Sequence, residues 1–450
     1  MQTQRDHVHA HQFQMGRMSS ALVLGDPTSA ENPSHRAMIG LFVGVMLAVL
    51  IVAGFVVYGW LVPGGGKSWR NPGAIIVEKE TGNRYVYVGG QLRPTLNLTS
   101  AMLIQGASSK IQLTSRNSLK GVPHGAPVGL AGAPQAVPDA AALVYGPWLA
   151  CLAGSAGGPA DGVGLNLDPG APSAPLAPDR FELVSGAGAD YLVWRGKKHR
   201  IADASVPVAL GVSNAQPIPA PAAWLDGLPD GDALAAPDVP GRGSTGPQIG
   251  GRTYQVGQLF TQPTSTGEDQ LFVLRGDGLA PVNRTAFVLL QTGSRDAVEL
   301  RSADVAGAPR SADRSLAGLL PDLGTAKWQD PAGLVLCERQ VPSGKESVTS
   351  TVVLTDRADA ALRVDGTPRV NVRPGTGMVV YPIPLPAMVK TPEPYLISDE
   401  GLRYSLPDSD ALSSLKLSGA PLVPFPRDLL NAVKSGPVLS RKAIDLTEEG

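Results

Sequence analysis

The chain has 450 residues, of which 43% are apolar and only 5% aromatic, with 53 glycines and 41 prolines. This composition predicts many turns and few long helices. The 38 Lys and Arg balance 39 Asp and Glu, and the resulting net charge of −1 excludes a general basic nucleic-acid binder. Two cysteines are too few for a zinc module or a disulfide-dense secreted scaffold.

The N-terminal segment, residues 1–36, carries an apolar stripe ahead of the first long apolar run. Helical spacing places several apolar residues on one face: Ala10, Phe13, Met18, Ala21 and Leu22. A helix of about 20 residues with such a stripe and no core of its own needs a partner. Because a membrane-surface helix would carry more Lys and Arg, we expect an amphipathic helix that binds another protein.

The following segment, residues 37–62, contains no charged side chain. As a helix it would extend roughly 39 Å, enough to cross a bilayer, and Tyr58 and Trp60 lie near its end, where aromatic residues mark a membrane interface. A cleaved signal peptide would not follow so long a polar segment. We therefore expect one transmembrane helix, in which the GxxxG pair Gly40 and Gly44 permits close packing of a neighbouring helix.

The flanking charges favour an orientation only weakly. Arg5, Arg17 and Arg36 precede the apolar segment, and Lys67 and Arg70 follow it closely, a difference of one positive charge for the positive-inside rule. Both cysteines follow the helix, where an oxidising compartment would allow them to pair. We expect a short cytoplasmic N-terminus and an extracytoplasmic remainder.

Beyond the membrane segment, one design recurs four times: an alternating strand, a glycine turn, a returning strand and a short helix. The copies lie near residues 74–112, 180–214, 251–297 and 390–418. Because a unit of this size cannot bury its apolar face alone, we expect the copies to surround a core formed by residues 113–179 and 298–389. The predicted fold class is α+β and β-rich, with an extracytoplasmic domain of residues 69–434 and a flexible tail of residues 435–450.

Motifs for catalysis or metal binding are weak. Gly64-Gly65-Gly66-Lys67-Ser68 resembles the end of a phosphate-binding loop, but that motif requires a glycine at position 61, which is Leu, and a strand before it and a helix after it. We interpret the segment as a juxtamembrane hinge. Only His124 and His199 lie beyond the membrane segment, so we predict neither a metal site nor a catalytic residue.

Two asparagines fall at equivalent places in the repeats. Asn97-Leu98-Thr99 and Asn283-Arg284-Thr285 match the glycosylation sequon. Since both occupy the same position of the repeated design, we interpret them as residues that form a shared hydrogen bond in a turn.

The two cysteines, Cys151 and Cys337, each follow a short apolar stretch, with no histidine nearby to activate a thiolate. They can form a disulfide across a long loop or remain as buried thiols. A catalytic role is not indicated.

Several segments together resemble the EccB family, a membrane component of the type VII (ESX) secretion apparatus. The likeness is carried by Arg5–His11 with Phe13, Gly25-Asp26-Pro27, Trp69–Gly82, Ser118-Leu119 with Gly121-Val122-Pro123, Trp224-Leu225, Pro240–Gly243 and Ser435-Gly436-Pro437. It covers nearly the whole chain. The resemblance implies a single-pass inner-membrane protein with a cytoplasmic N-terminus, an elongated extracytoplasmic domain of four repeats around a β core, and a disulfide between Cys151 and Cys337.

The resemblance also implies partners and a function. The partners are the motor ATPase EccC, EccD, EccE, the mycosin protease, further EccB copies and membrane lipid, with no nucleic acid. We expect a structural subunit that stabilises the assembly and forms its periplasmic vestibule. Proteins of this family have been described as ATP-hydrolysing, but without a Walker lysine in context we expect no cofactor. The alternative is a membrane-anchored extracytoplasmic nucleotide hydrolase or cell-wall-binding module.

Overall fold

The computed structural model describes residues 4–25, 33–61, 67–154, 162–265, 267–293, 296–331, 333–389 and 391–444. Two long helices, α1 (Gln4–Leu24) and α2 (Pro33–Leu61), come first and contact each other. A short 3-10 turn, Lys67–Arg70, leads from α2 into the rest of the chain. The rest is built mainly from short strands, as the predicted α+β, β-rich fold class requires.

Four small units, numbered 1 to 4 along the chain, share the order strand, strand, strand, helix, strand. Unit 1 contains β1 (Ala74–Glu78), β2 (Arg84–Val88), β3 (Gln91–Pro94), α3 (Leu98–Gln105) and β4 (Lys110–Thr114). The short helix α4 (Arg116–Leu119) and the strands β5 (Trp148–Leu152), β6 (Val163–Asn166) and β7 (Ala174–Pro175) follow. Unit 2 contains β8 (Arg180–Gly186), β9 (Ala189–Trp194), β10 (Lys197–Arg200), α5 (Ser205–Ala209) and β11 (Ile218–Pro219).

The second half repeats the pattern. After α6 (Ala222–Leu225) and the hairpin of β12 (Thr245–Ile249) and β13 (Arg252–Gln255), unit 3 contains β14 (Leu259–Gln262), β15 (Gln270–Arg275), β16 (Gly278–Pro281), α7 (Arg284–Gln291) and β17 (Val298–Glu299). Next come α8 (Ser302–Ala306), β18 (Lys327–Trp328), β19 (Val335–Pro342), β20 (Val348–Thr355) and β21 (Val370–Asn371). Unit 4 contains β22 (Gly377–Ile383), β23 (Tyr395–Ser398), β24 (Arg403–Ser405), α9 (Ser409–Ser414) and β25 (Val423–Pro426), and α10 (Arg427–Ala432) follows.

All four units have one topology. In each, the strands lie in the order third, second, first, fourth, and the fourth strand pairs parallel with the first. Tight turns suffice for the antiparallel strands, whereas the parallel pair needs the helix as a crossover. The structure differs from the sequence prediction for unit 4, which extends over residues 377–426 rather than 390–418, because its first and fourth strands flank the hairpin and helix that the pattern revealed.

The six-stranded core sheet has the order β21-β6-β5-β19-β20-β7. Its strands come from both stretches that the sequence assigned to the core, one before unit 2 and one after unit 3. Three large aromatic side chains, Trp148, Trp224 and Phe425, are fully buried against it. Trp148 stacks on Phe425 of unit 4 with ring centroids 4.7 Å apart, and Trp224 Nε1 donates to Ala150 O at 3.0 Å. The core sheet therefore joins elements that are distant in the chain.

The prediction of a flexible tail was wrong for residues 435–444. Leu439 and Ile444 are buried in the apolar cluster of units 1 and 4, and Ser440 caps a 3-10 turn over Arg441–Ala443. At Gly436 a side chain would collide with the ring of Tyr404. Residues 435–444 pack on the domain because Leu439 and Ile444 are buried among the apolar side chains of this cluster. Residues 445–450 lie outside the described part of the chain.

Candidate functional site

The helix α2 has the dimensions of a membrane anchor. Its segment Ala37–Trp60 has 24 residues, is long and apolar enough to cross a bilayer, and buries none of its side chains within the protein. At 1.5 Å per residue it extends roughly 36 Å. It is the one such helix in the described residues. A Cβ placed on Gly40 or Gly44 would meet no atom within 4 Å, so close packing of a neighbouring helix at this pair stays a prediction.

The predicted N-terminal helix is present as α1, and most of its apolar stripe is exposed. Phe13, Met18 and Leu22 are 55%, 62% and 83% exposed, while Ala21 is half-buried. Such a stripe is unfavourable in water. Binding of a partner through these four residues stays a prediction.

The two cysteines form a disulfide, as the resemblance implies. Cys151 in β5 and Cys337 in β19 are register partners on neighbouring antiparallel strands, and both are fully buried. The chain between them, 186 residues in sequence separation, includes all of units 2 and 3. The disulfide thus links two neighbouring strands of the core sheet and closes a loop of the chain that contains units 2 and 3.

The two sequon asparagines are helix caps, which confirms the interpretation as a shared turn hydrogen bond. The side-chain oxygen of Asn97 accepts from Ser100 N–H, and that of Asn283 accepts from Ala286 N–H, both at 2.8 Å. Each side-chain amide then donates to a carbonyl of a later loop, Asn97 to Leu130 O at 2.9 Å and Asn283 to the Leu320 carbonyl at 2.7 Å. Each asparagine therefore fixes its helix to the loop beyond it.

Two substitutions of Asn97 distinguish the contributions of its capping hydrogen bond and its hydrogen bond to Leu130 O. Asn97→Ala removes both and should lower the free energy of unfolding by about 2–3 kcal/mol, since the cap and a buried acceptor are both lost. Asn97→Ser keeps a capping oxygen and should cost about 1 kcal/mol less than the alanine variant. Urea unfolding of the detergent-solubilised chain, followed by tryptophan fluorescence, measures the difference. Equal losses in the two variants would show that the cap contributes nothing.

A buried polar network beneath the core sheet was missed by sequence reasoning. Glu338 in β19 is fully buried, and its Oε2 accepts from Gln340 Nε2 at 2.7 Å and Ser350 Oγ at 3.2 Å. Gln340 Oε1 in turn accepts from Trp148 Nε1 at 2.8 Å. Burial raises the pKa of Glu338 from 4.5 to about 8, so this carboxyl is protonated at neutral pH. A glutamate within a strand normally lies on the solvent-facing side. The sequence alone therefore gives no sign that Glu338 is buried.

The network makes stability depend on pH. As pH rises through 4.5 the unfolded chain loses the Glu338 proton, whereas the folded chain keeps it until about pH 8, where its pKa lies. The free energy of unfolding therefore falls as pH rises between these values. Glu338→Gln cannot ionise, so at pH 8 it should be more stable than the wild type by about 4 kcal/mol, with little difference at pH 4.5.

The measurement is chemical unfolding at both pH values, with the exposed Glu346→Gln as the matched control, which should behave as the wild type does. The free energy of unfolding of Glu338→Gln should still depend partly on pH, because burial raises the pKa of Glu182 to about 8 as well. A Glu338→Gln variant that keeps the whole wild-type pH dependence would rule out this role.

One cleft of the described residues contains the cationic side chains that a nucleotide would need. This cleft of about 590 Å³ contains Arg116 and Lys120, but Arg116 Nε donates to Glu78 Oε1 at 2.7 Å and its backbone N–H to Glu80 Oε2 at 2.9 Å. These donors are occupied by carboxylates that would repel phosphate. In the described residues no group of three His, Cys, Asp or Glu is placed to hold a metal. Lys67 begins a 3-10 turn after α2; the glycines before it lie outside the described residues.

An apolar anchor helix followed by four units around a disulfide-closed sheet defines a membrane-anchored scaffold protein. The whole chain, residues 1–450, matches the family described as "Type VII secretion system ESX-1, transport TM domain B". The chain belongs to this family, the EccB family.

Two curated relatives match this chain over most of their own length. The ESX-3 secretion system ATPase EccB3 of Mycolicibacterium smegmatis is 28% identical over 470 residues, covering 97% of this chain and 89% of the relative. The ESX-1 secretion system ATPase EccB1 of Mycobacterium tuberculosis is 28% identical over 465 residues, covering 98% of this chain and 94% of the relative.

Solved structures share the fold. An EccB3 dimer from the ESX-3 core complex matches with a TM-score of 0.58 and 27% identity, covering 82% of this chain and 98% of that chain. The periplasmic assembly from the ESX-5 inner membrane complex matches with a TM-score of 0.62 and 24% identity, covering 87% of this chain and 98% of that chain.

Proposed function

We propose that this protein is a structural membrane subunit of a type VII (ESX) secretion complex, which it stabilises and whose periplasmic vestibule it helps to form. The observation that carries the proposal is the family match over residues 1–450, which includes the anchor, the core sheet and all four units. The described part of the chain agrees with it, because its buried aromatic and polar side chains join distant elements of the scaffold.

The proposed orientation places α1 in the cytoplasm and the four units on the other side of the inner membrane. The buried Cys151–Cys337 disulfide supports it, since disulfides persist in oxidising compartments. On the cytoplasmic side, the exposed stripe of α1 offers a docking surface for EccC, EccD or EccE. In the bilayer, Gly40 and Gly44 allow a neighbouring helix to approach. On the extracytoplasmic side, the proposed neighbours of the four units are the mycosin protease and further copies of this chain.

A nucleotide hydrolase is the competing function, because the curated relatives carry the word ATPase in their names. The full chain in detergent should then hydrolyse ATP in proportion to its concentration after every other ATPase has been removed. We expect no such activity, since Arg116 is already paired with Glu78 in the cleft that contains cationic residues. Activity that survives purification and disappears in a variant of this cleft would favour the hydrolase.

Deletion of the gene tests the structural role. Cells without this chain should lose the high-mass membrane complex itself, and the remaining subunits should migrate as smaller particles on native gels. Restoring the full chain should restore the complex. If the complex assembles at normal mass without this chain, the protein is not a structural subunit.

A further inference from the structure

The strand β4 of unit 1 is an edge strand with an uncovered apolar strip. It lies at the end of the sheet order β3-β2-β1-β4. Ile111 and Leu113 are each 59% exposed. Ile111 is the register partner of the fully buried Ile75, so it lies on the face of the sheet that packs on the core of unit 1. The apolar surface of that face therefore continues to the edge, where nothing in the described residues covers it.

The backbone of β4 is also free on its outer side. Lys110 N–H donates to Gly73 O of the β1 side at 2.9 Å, and in a parallel pair the groups of every second residue face the neighbouring strand. The N–H and C=O groups of Ile111 and Leu113 therefore point away from the sheet. They have no hydrogen-bond partner in the described part of the chain. Four backbone groups are available for a further strand.

In the other three units, the strand equivalent to β4 has features that prevent pairing with another chain. Their equivalent strands β11 and β17 are only two residues long, and β25 contains two prolines and is largely buried. Short edge strands and prolines prevent pairing with another chain. β4 has five residues, no proline and exposed apolar side chains. Since the four units share one topology, this difference belongs to unit 1 and not to the fold.

We propose that β4 pairs antiparallel with β4 of a second copy of this chain, about a two-fold axis at Gln112. This register places Ile111 opposite Leu113 of the second copy, and both pairs exchange their two outward hydrogen bonds. Gln112 opposes Gln112, and Lys110 opposes Thr114, so no like charges face each other. The two apolar strips join into one, and all four outward groups of each strand are used.

The position of β4 favours a second copy as the occupant. The turn Lys67–Arg70 contacts β1 and β4, and five residues separate this turn from the end of α2 at Leu61. Even fully extended, that connection reaches only about 22 Å. Unit 1 is therefore held near the anchor, and two copies in one membrane present their β4 edges at high effective concentration. Anchoring compensates for a contact that is smaller than the roughly 1,600 Å² of a stable interface.

This inference rests on the proposed self-association and names the surface that forms it. The test uses the full chain in membranes. Gln112→Cys should form an inter-chain disulfide on mild oxidation, because directly opposed residues of a non-hydrogen-bonded antiparallel pair lie about 4.5 Å apart at Cα. Lys110→Cys should not, since its counterpart would lie about 13 Å away along the strands. Cys151 and Cys337 are already paired and buried, so they do not compete.

A second pair of variants tests the apolar strip. Ile111→Lys with Leu113→Lys should abolish the dimer in the membrane, whereas Val208→Lys with Val364→Lys, two exposed apolar residues elsewhere, should leave it intact. Tryptophan fluorescence checks that each variant is folded. A dimer that survives the β4 lysines, with no cross-link at Gln112, would overturn the β4 pairing while self-association stands. A wild-type chain that is monomeric in the membrane would overturn both.

Discussion

Removing the disulfide between Cys151 and Cys337 should lower the free energy of unfolding by about 5 kcal/mol. The double variant Cys151→Ala, Cys337→Ala frees a loop of 186 residues, and the chain entropy released by opening a loop of this length has that size. A loss of this order is a large part of the stability of an ordinary domain. Because β5 and β19 are neighbours in the core sheet, the core sheet and units 2 and 3 should all become less stable in the variant.

The measurement is denaturant unfolding of the variant and the wild type with and without a reducing agent. The reduced wild type serves as the control, because it loses the bond but keeps the sulfur atoms that pack in the core. Its midpoint should move to that of the variant. If the oxidised wild type and the variant unfold at the same denaturant concentration, the cross-link does not stabilise the fold.

Disrupting the stripe of α1 should separate the chain from its complex without unfolding the rest. Met18→Asp with Leu22→Asp places two charges on one face of the exposed stripe, because the two residues are four positions apart. Burying these two side chains in a partner would contribute about 1.5–3 kcal/mol each, so the loss should weaken binding at least about 100-fold. Deleting residues 1–36 should have the same effect.

The matched control is His9→Asp with Gln12→Asp, which adds the same two charges to exposed positions on the side of the helix opposite the stripe. This control should remain in the complex. Native electrophoresis of detergent extracts reports complex assembly, and the Cys151–Cys337 disulfide reports folding of the remainder. If both double variants stay in the complex, α1 is not a docking helix.

Local patterns predicted the parts of the fold that local sequence determines. The hairpin and helix of each unit could be predicted from the sequence, because their signals are local. In Leu271–Leu274, for example, the apolar alternation and the glycine turn that follows it lie within a few residues. Helix capping by Asn97 and Asn283 follows the same logic. The anchor α2 was also predicted, because an uncharged apolar run of this length is typical of a membrane-spanning helix.

The closing strands of units 2 and 3 could not be predicted in this way. β11 and β17 have two residues each, too few for any periodicity, and they exist because a partner strand far along the chain offers a parallel edge. The buried Glu338 network likewise depends on Gln340, Ser350 and Trp148, which come from three strands. Only assembly of the core sheet brings these side chains together.

Capture of the intact chain tests the secretion-scaffold role most directly. A C-terminally tagged full chain would be extracted from native membranes in mild detergent, separated by native electrophoresis and analysed by mass spectrometry. We expect it in a high-mass assembly together with a motor ATPase and a multi-span membrane partner. Recovery as a lone monomer or small homo-oligomer, while other membrane complexes in the same extract stay intact, would show that the chain is not part of such an assembly.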